Sequence, residues 1–477
     1  MKLISQFFKK FLVAREKGAI LIVSMIFLTV LSILGFALAD MLVAQNRLSE
    51  VKIAQEYAFQ IAESGLNFAR WRLAHDEANY ASATQTLFDP TGGPIGTYQL
   101  EFTPPGAGST VVEIRSTGWY QNKINYTRTL EARYGRKAFT FYSFLFDSPV
   151  WFGGDAVDGR AHSNEGLRMD STGNSEVTSR RATYTCTAIH ACNPSATRPG
   201  VWGVGGNQNL WDFPTSNVDF AYVTSNLNDL QYKAVTEGVG LFLPSAGAPN
   251  GYDLNFLADG NVEIYQVTAL NYNLTRGRWE GPVWKTYSNP LDISGETQIA
   301  LYTLEPNDLI FAETNLWVRG EVNGRVTVVA ANLPDVAATN RDIMLGSNNS
   351  EIRYSNYDGS CVLGLIAQRN ILITYFVLNN MRLDAVLMAQ KGLIGRDYYS
   401  SGARRIRNSI TTYGSMISKD FSDPEFRWVN GAGATVSGFN TNVTTYDHHL
   451  VYYPPPYFPV MGDYDFISWE EKEKGQL

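Results

Sequence analysis

The sequence predicts an α+β fold: a long N-terminal helix that crosses a membrane, a small antiparallel sheet, and a large β-rich body containing a parallel β-solenoid. Three observations lead there. An uncharged apolar run at 19–39 continues without proline into an amphipathic stretch that reaches the mid-70s. Aromatic residues make up 13% of the 477, with 26 Tyr and 41 Gly, which suits strands and turns better than a helical body. Between 301 and 420, short β-prone runs each end near a Gly or Asn turn.

The first 17 residues carry Lys2, Lys9, Lys10, Arg15 and Lys17 against Glu16 alone, and Gly18 follows. The uncharged run then rises about 31 Å as helix, enough to span a bilayer. The basic flank places residues 1–18 on the cytoplasmic side and the rest across the membrane. A secretory signal peptide is the competing reading, but its apolar core is shorter, about 7–15 residues, and "FALADMLVAQN" is a poor cleavage pattern.

Beyond the run, Val51, Ala54, Ala58, Ile61, Ala62, Phe68, Ala69 and Leu73 recur at three-four spacing and mark one helical face. A continuous helix over 19–77 would anchor at one end and pack at the other, with Val51, Ala54, Ala58, Ile61 and Ala62 as the packing positions.

"EKGAILIVSMIFLTVLSILGFALA" followed by "AFQIAESGLNFA" resembles the N-terminus of PilX-type minor pilins of type IV pili and of related minor pseudopilins. The resemblance covers about 60 residues. It implies cleavage after Gly18 by a prepilin peptidase, leaving Ala19 as a methylated first residue. It also implies partners among other pilins through the helix, a home in the inner membrane or a filament, and a structural rather than enzymatic role. The fifth mature position, a glutamate in major pilins, is Val23 here. That departure fits a subunit that initiates, caps or decorates a filament better than a repeated one.

Without residues 1–18 the 39 bases become 34 and the 46 acids 45, a side-chain net of −11. No basic field for direct nucleic-acid binding is present.

Residues 78–150 alternate as in "TVVEIRSTGWY" and predict a small pilin-like sheet on the helix. Residues 151–300 predict strands broken by long loops, with Cys186 and Cys192 close enough to close a disulfide loop and His190 inside it facing water. In 301–420, "LGLIAQRNILITYF", "LDAVLMAQKGLIG" and "ITTYGSMIS" read as solenoid coils, with Ala367, Ala389 and Gly414 at corresponding places; a β-sandwich is the alternative. The tail 421–477 predicts a cap, and Tyr452, Tyr453, Tyr457 and Phe458 form a candidate recognition patch for a glycan or partner surface.

Walker A, HExxH and GxSxG patterns are absent. His448 and His449, read as a strand pair, point to opposite faces; with neighbouring Asp residues they are at most a weak metal reading, and no cofactor is expected. The second functional class is a membrane-tethered solenoid that binds or cleaves polysaccharide, with Asp384 pointing outward near Arg404, Arg405 and Arg407; no second acid accompanies Asp384 at a compelling position.

Overall fold

The computed structural model describes residues 19–106, 108–121, 123–154, 156–271, 274–280, 283–420 and 426–472. The leader and Gly18 lie outside the described residues. The chain divides into two compact units, one of residues up to 102, 114–132 and 469 onward, the other of 103–113 and 133–468.

The first unit is built on helix α1, Ala19–His75, about 85 Å long at the standard rise. A five-stranded sheet lies partly in this unit; its strands, in spatial order, are Ala83–Phe88, Pro94–Thr103, Val112–Tyr120, Arg128–Ala138 and Val460–Lys472. The last strand comes from the tail expected to cap the body; it is an edge strand of this sheet instead.

The second unit is dominated by parallel ladders. One runs through Leu241–Leu243, Asp308–Ala312, Arg325–Ala330, Val362–Ala367, Asn380–Ala389 and Ile406–Ser418, each hydrogen-bonded to the next. It then continues into Phe144–Phe146, Ala161–Ser163, Val177–Ser179 and Trp211–Asp212. Spatial order therefore differs from chain order. The chain enters the ladder in its middle at Phe144, runs outward to Asp212, restarts at the opposite end with Leu241, and returns inward until Met416 meets Phe144. The parallel pairing is thus not confined to 301–420.

Helix α2, Ala221–Tyr232, makes the crossing. Its Leu227 and Leu230, with Val218, Phe220 and Ala234 beside them, pack on the outer face of the ladder against Leu145, Ile417, Met388, Ile366, Val329 and Phe311. The inner face carries Phe146, Met416, Leu387, Leu365, Val328 and Ile310 into the main core. A strand buried on both faces needs apolar residues at every position, which is why "RVTVVA" and "VLGLIA" are near-continuous apolar runs instead of alternating ones. A second parallel ladder, Tyr252–Phe256, Leu316–Val322, Ile343–Leu345, Ile371–Ile373 and Ile394–Gly395, closes the other side of that core.

The register corrects one correspondence. Ala367 does pair with Ala389, but Gly414 pairs with Ala385, four residues earlier than the spacing suggested.

Candidate functional site on the N-terminal helix

The two halves of α1 present different surfaces. From Ile20 to Leu48 every described side chain is exposed; Ile20 is 82% exposed and Leu31 66%. This half carries no charge before Asp40. Its hydroxyls turn back onto the helix: Ser24 Oγ donates to the Leu21 carbonyl at 2.9 Å and Thr29 Oγ1 to the Ile26 carbonyl at 2.8 Å. An apolar medium demands that economy, because an unpaired hydroxyl there is costly. Among the described helices, α1 is long and apolar enough to cross a membrane.

From residue 51 onward one stripe is buried. Ala54, Ala58, Ile61, Ala62, Leu66, Ala69 and Leu73 are each less than 5% exposed. Val51 is half-buried at the start of the stripe. The small size of Ala58 and Ala62 is explained by what lies opposite. A Cβ on Gly118 would lie 2.4 Å from the Ala58 carbonyl oxygen and 2.5 Å from the Ala62 amide nitrogen, so strand backbone runs directly against helix backbone. A Cβ on Gly96 would meet Ile61 Cδ1 at 2.4 Å, and one on Gly65 would meet Ser116 Oγ at 2.2 Å. This is a seam of small residues from both elements. The sequence gives the helix side of it by periodicity, while Gly96, Gly118 and Ser116 read there only as ordinary strand residues.

Aromatic and charged groups flank the seam. Tyr57 stacks on Tyr120 at 4.6 Å, and the Arg72 guanidinium sits 4.3 Å over Phe102. Burial pulls the Arg72 pKa down and pushes the Tyr98 hydroxyl's up. Arg128 pairs with Glu471, whose hydrogen bond holds the guanidinium pKa up.

The other candidate residues are placed as follows. Cys186 and Cys192 form a disulfide with a Cα separation of 5.7 Å, at the end of the hairpin of Thr183–Cys186 and Ala196–Pro199. His190 does not face water: it is 4% exposed, and burial together with nearby Arg168 pulls its pKa down to about 4. Of the aromatic patch, Tyr453 is 46% exposed and Tyr452 and Tyr457 half-buried, but Phe458 is 4% exposed and belongs to the core under α2. Phe458 is therefore removed from any surface role.

His448 and His449 stand on a 3-10 turn, His448–Val451, not on a strand. His449 Nδ1 is 3.0 Å from Asp447 and His448 Nε2 is 3.5 Å from Asp158. Among the described residues no group of three or more His, Cys, Asp or Glu is placed to hold a metal. His162 is buried in a strand, between Thr178 Oγ1 at 2.8 Å and Asn164 Oδ1 at 3.1 Å. Asp384 does not point outward: it is fully buried and accepts from the Tyr354 amide, the Tyr357 hydroxyl and Arg382. A carboxylate so occupied is a structural anchor, and Arg404 is likewise engaged with Asn349 and the Val377 carbonyl.

Residues 17–67 match the family model described as PilX N-terminal. No curated protein matches the chain. The crystal structure of the competence-associated pilin ComZ from Thermus thermophilus is similar over 88% of this chain and 97% of its own, at 12% identity and a TM-score of 0.30. The family match begins before the apolar run and ends within the buried stripe of α1. The N-terminal region of this chain is type IV pilin-like.

Proposed function

We propose that this chain is a minor pilin-like subunit, cut after Gly18 by a prepilin peptidase and methylated on Ala19, whose apolar half-helix lies in the inner membrane or among the helices of other pilins. The observation that carries the reading is the contrast within α1: 20–48 is exposed along its length while 54–73 is seamed to a sheet. Exposed Ile, Leu, Phe and Met side chains on every side of a helix need lipid or neighbouring helices around them. A subunit used this way works by shape and packing and needs no catalytic group. With Val23 in place of a glutamate, it has no carboxylate to meet the terminal amine of a preceding subunit, which favours an initiating or capping position over a repeated one. The body would then stand on the extracytoplasmic side.

Cross-linking tests the reading. Leu34→Cys, placed in the exposed apolar half, is expected to yield disulfide adducts with cysteine-bearing pilins of the same host, both in membranes and in sheared filaments. A chain that remains an uncross-linked monomer in membranes and is missing from filaments would contradict it.

A further inference from the structure

The second unit contains an open cleft of about 590 Å³, formed where residues 103–106 and 108–113, turns of the parallel stack and the proline-rich 452–456 segment come together. That size is ordinary for a small-ligand site. Its walls are held rigidly. Arg325 donates from Nε to Asn307 Oδ1 at 3.1 Å and from Nη1 to the Gly359 carbonyl at 2.7 Å. Its Nη2 reaches the carbonyls of Tyr453 at 3.2 Å and Pro454 at 2.6 Å. One guanidinium therefore ties three loops together. Asp358 is fixed by the Ser360 amide and by Asn356 Nδ2, each at 2.9 Å.

The groups left facing the cleft form a second set. Arg133 lies 4.8 Å from the Tyr452 ring centre and 5.8 Å from that of Tyr453. Its Nε donates to Glu113 Oε1 at 3.2 Å, and the Tyr453 hydroxyl reaches the same oxygen at 3.4 Å. Tyr453 remains 46% exposed, so its ring is available to a ligand although its position is fixed.

The formal charges of this lining cancel: Glu113 and Asp358 against Arg133 and Arg325. An anionic polymer would meet two carboxylates, and a cationic one two guanidinium groups. An uncharged ligand rich in hydroxyls meets neither penalty. It can accept from Arg133, donate to Glu113, and lay its C–H face on a tyrosine ring.

We infer that this cleft binds a neutral oligosaccharide, with Tyr453 as the stacking platform and the Glu113–Arg133 pair as the hydroxyl reader. The site is independent of whether the chain enters a filament, so its failure would leave the pilin reading untouched.

Calorimetry on the full chain in a zwitterionic detergent tests the inference; a maltoside detergent would itself offer sugar. The neutral probes are chitotetraose, cellotetraose, maltotetraose and mannotetraose, and the charged control is tetragalacturonate. Saturable binding of at least one neutral probe is expected, weakened about tenfold or more by Tyr453→Ala and by Glu113→Gln. Tyr453→Phe, which keeps the ring, is expected to lose less, and Tyr232→Ala, outside the cleft, nothing. Binding of none of the neutral probes, tighter binding of tetragalacturonate, or unchanged affinity in Tyr453→Ala would overturn it.

Discussion

The lower and upper halves of α1 share one continuous backbone, but the lower is apolar and uncharged up to Asp40 while the upper is amphipathic, with Lys52, Glu56, Glu63, Arg70 and Arg72. Among the described residues it is the upper half that is packed within the chain. Leu31 is 66% exposed and Leu66 4%. The two halves differ in residue size as well as in hydrophobicity. The lower half is crowded with Ile, Leu, Met, Val and Phe on all sides, a surface that suits fluid lipid or interchangeable helices. The upper half narrows to Ala54, Ala58, Ala62, Gly65 and Ala69 along one stripe, a surface that admits a strand at backbone contact. A helix can thus carry a general interface at one end and a specific one at the other.

The largest test of that contrast uses the same substitution in both halves. Leu66→Ala is expected to destabilise the first unit by about 2–5 kcal/mol, because it removes a buried side chain and leaves a cavity. Leu31→Ala is expected to stay within about 0.5 kcal/mol in the same detergent. Chemical denaturation followed by Tyr and Trp fluorescence reads both, and equal losses would break the comparison.

Gly118→Val probes the seam from the sheet side. Its added carbons would press on the Ala58 and Ala62 backbone, which cannot give way as a side chain can. A loss of about 1–3 kcal/mol is expected, with the lowered thermal midpoint accompanied by proteolysis near the helix–sheet seam. Retention of wild-type stability would mean that the seam is looser than the contacts imply.

A smaller effect sets the body apart from the helix. The folded His190 has a pKa of about 4, below its unfolded value of about 6.5, so the unfolded chain binds the extra proton between those values. Stability from this group is complete above pH 6.5, falls as the pH drops toward 4, and then levels. The loss is at most about 3 kcal/mol. Buried His162, whose pKa is also pulled down by desolvation, acts in the same direction. Comparing His190→Leu with the wild type from pH 7 to 4 isolates the histidine, since the carboxylates are common to both. The variant is expected to show the shallower decline, and parallel curves would place His190 in water after all.

Helix α1 and its packing face were legible because periodicity is local: Ala54, Ala58, Ile61 and Ala62 declare themselves within three turns. The strands of 301–420 were legible for a related reason, since a strand covered on both faces leaves an unbroken apolar run. The stacking of Phe144–Phe146 on Met416–Ser418 was not legible. It joins a three-residue strand to the end of Ile406–Ser418, more than 270 positions away, and no sequence period spans a chain that turns back on its own order. Side-chain satisfaction was equally hidden. Nothing in the sequence around Asp384 marks that Tyr357 and Arg382 occupy it, and nothing around Phe458 marks that it belongs to the core under α2. The cleft escaped for the same reason: Glu113, Arg133 and Tyr453 are brought together only by the fold.

The most direct measurement is N-terminal mass spectrometry of the native protein, made with and without the host's prepilin peptidase. The pilin reading predicts a chain beginning at methylated Ala19 when the peptidase is present and an intact leader when it is absent. A leader retained in both strains would contradict it and leave α1 as the anchor of a protein outside the pilin pathway, and a cut near residue 39 would contradict it by releasing the body without the apolar half of α1.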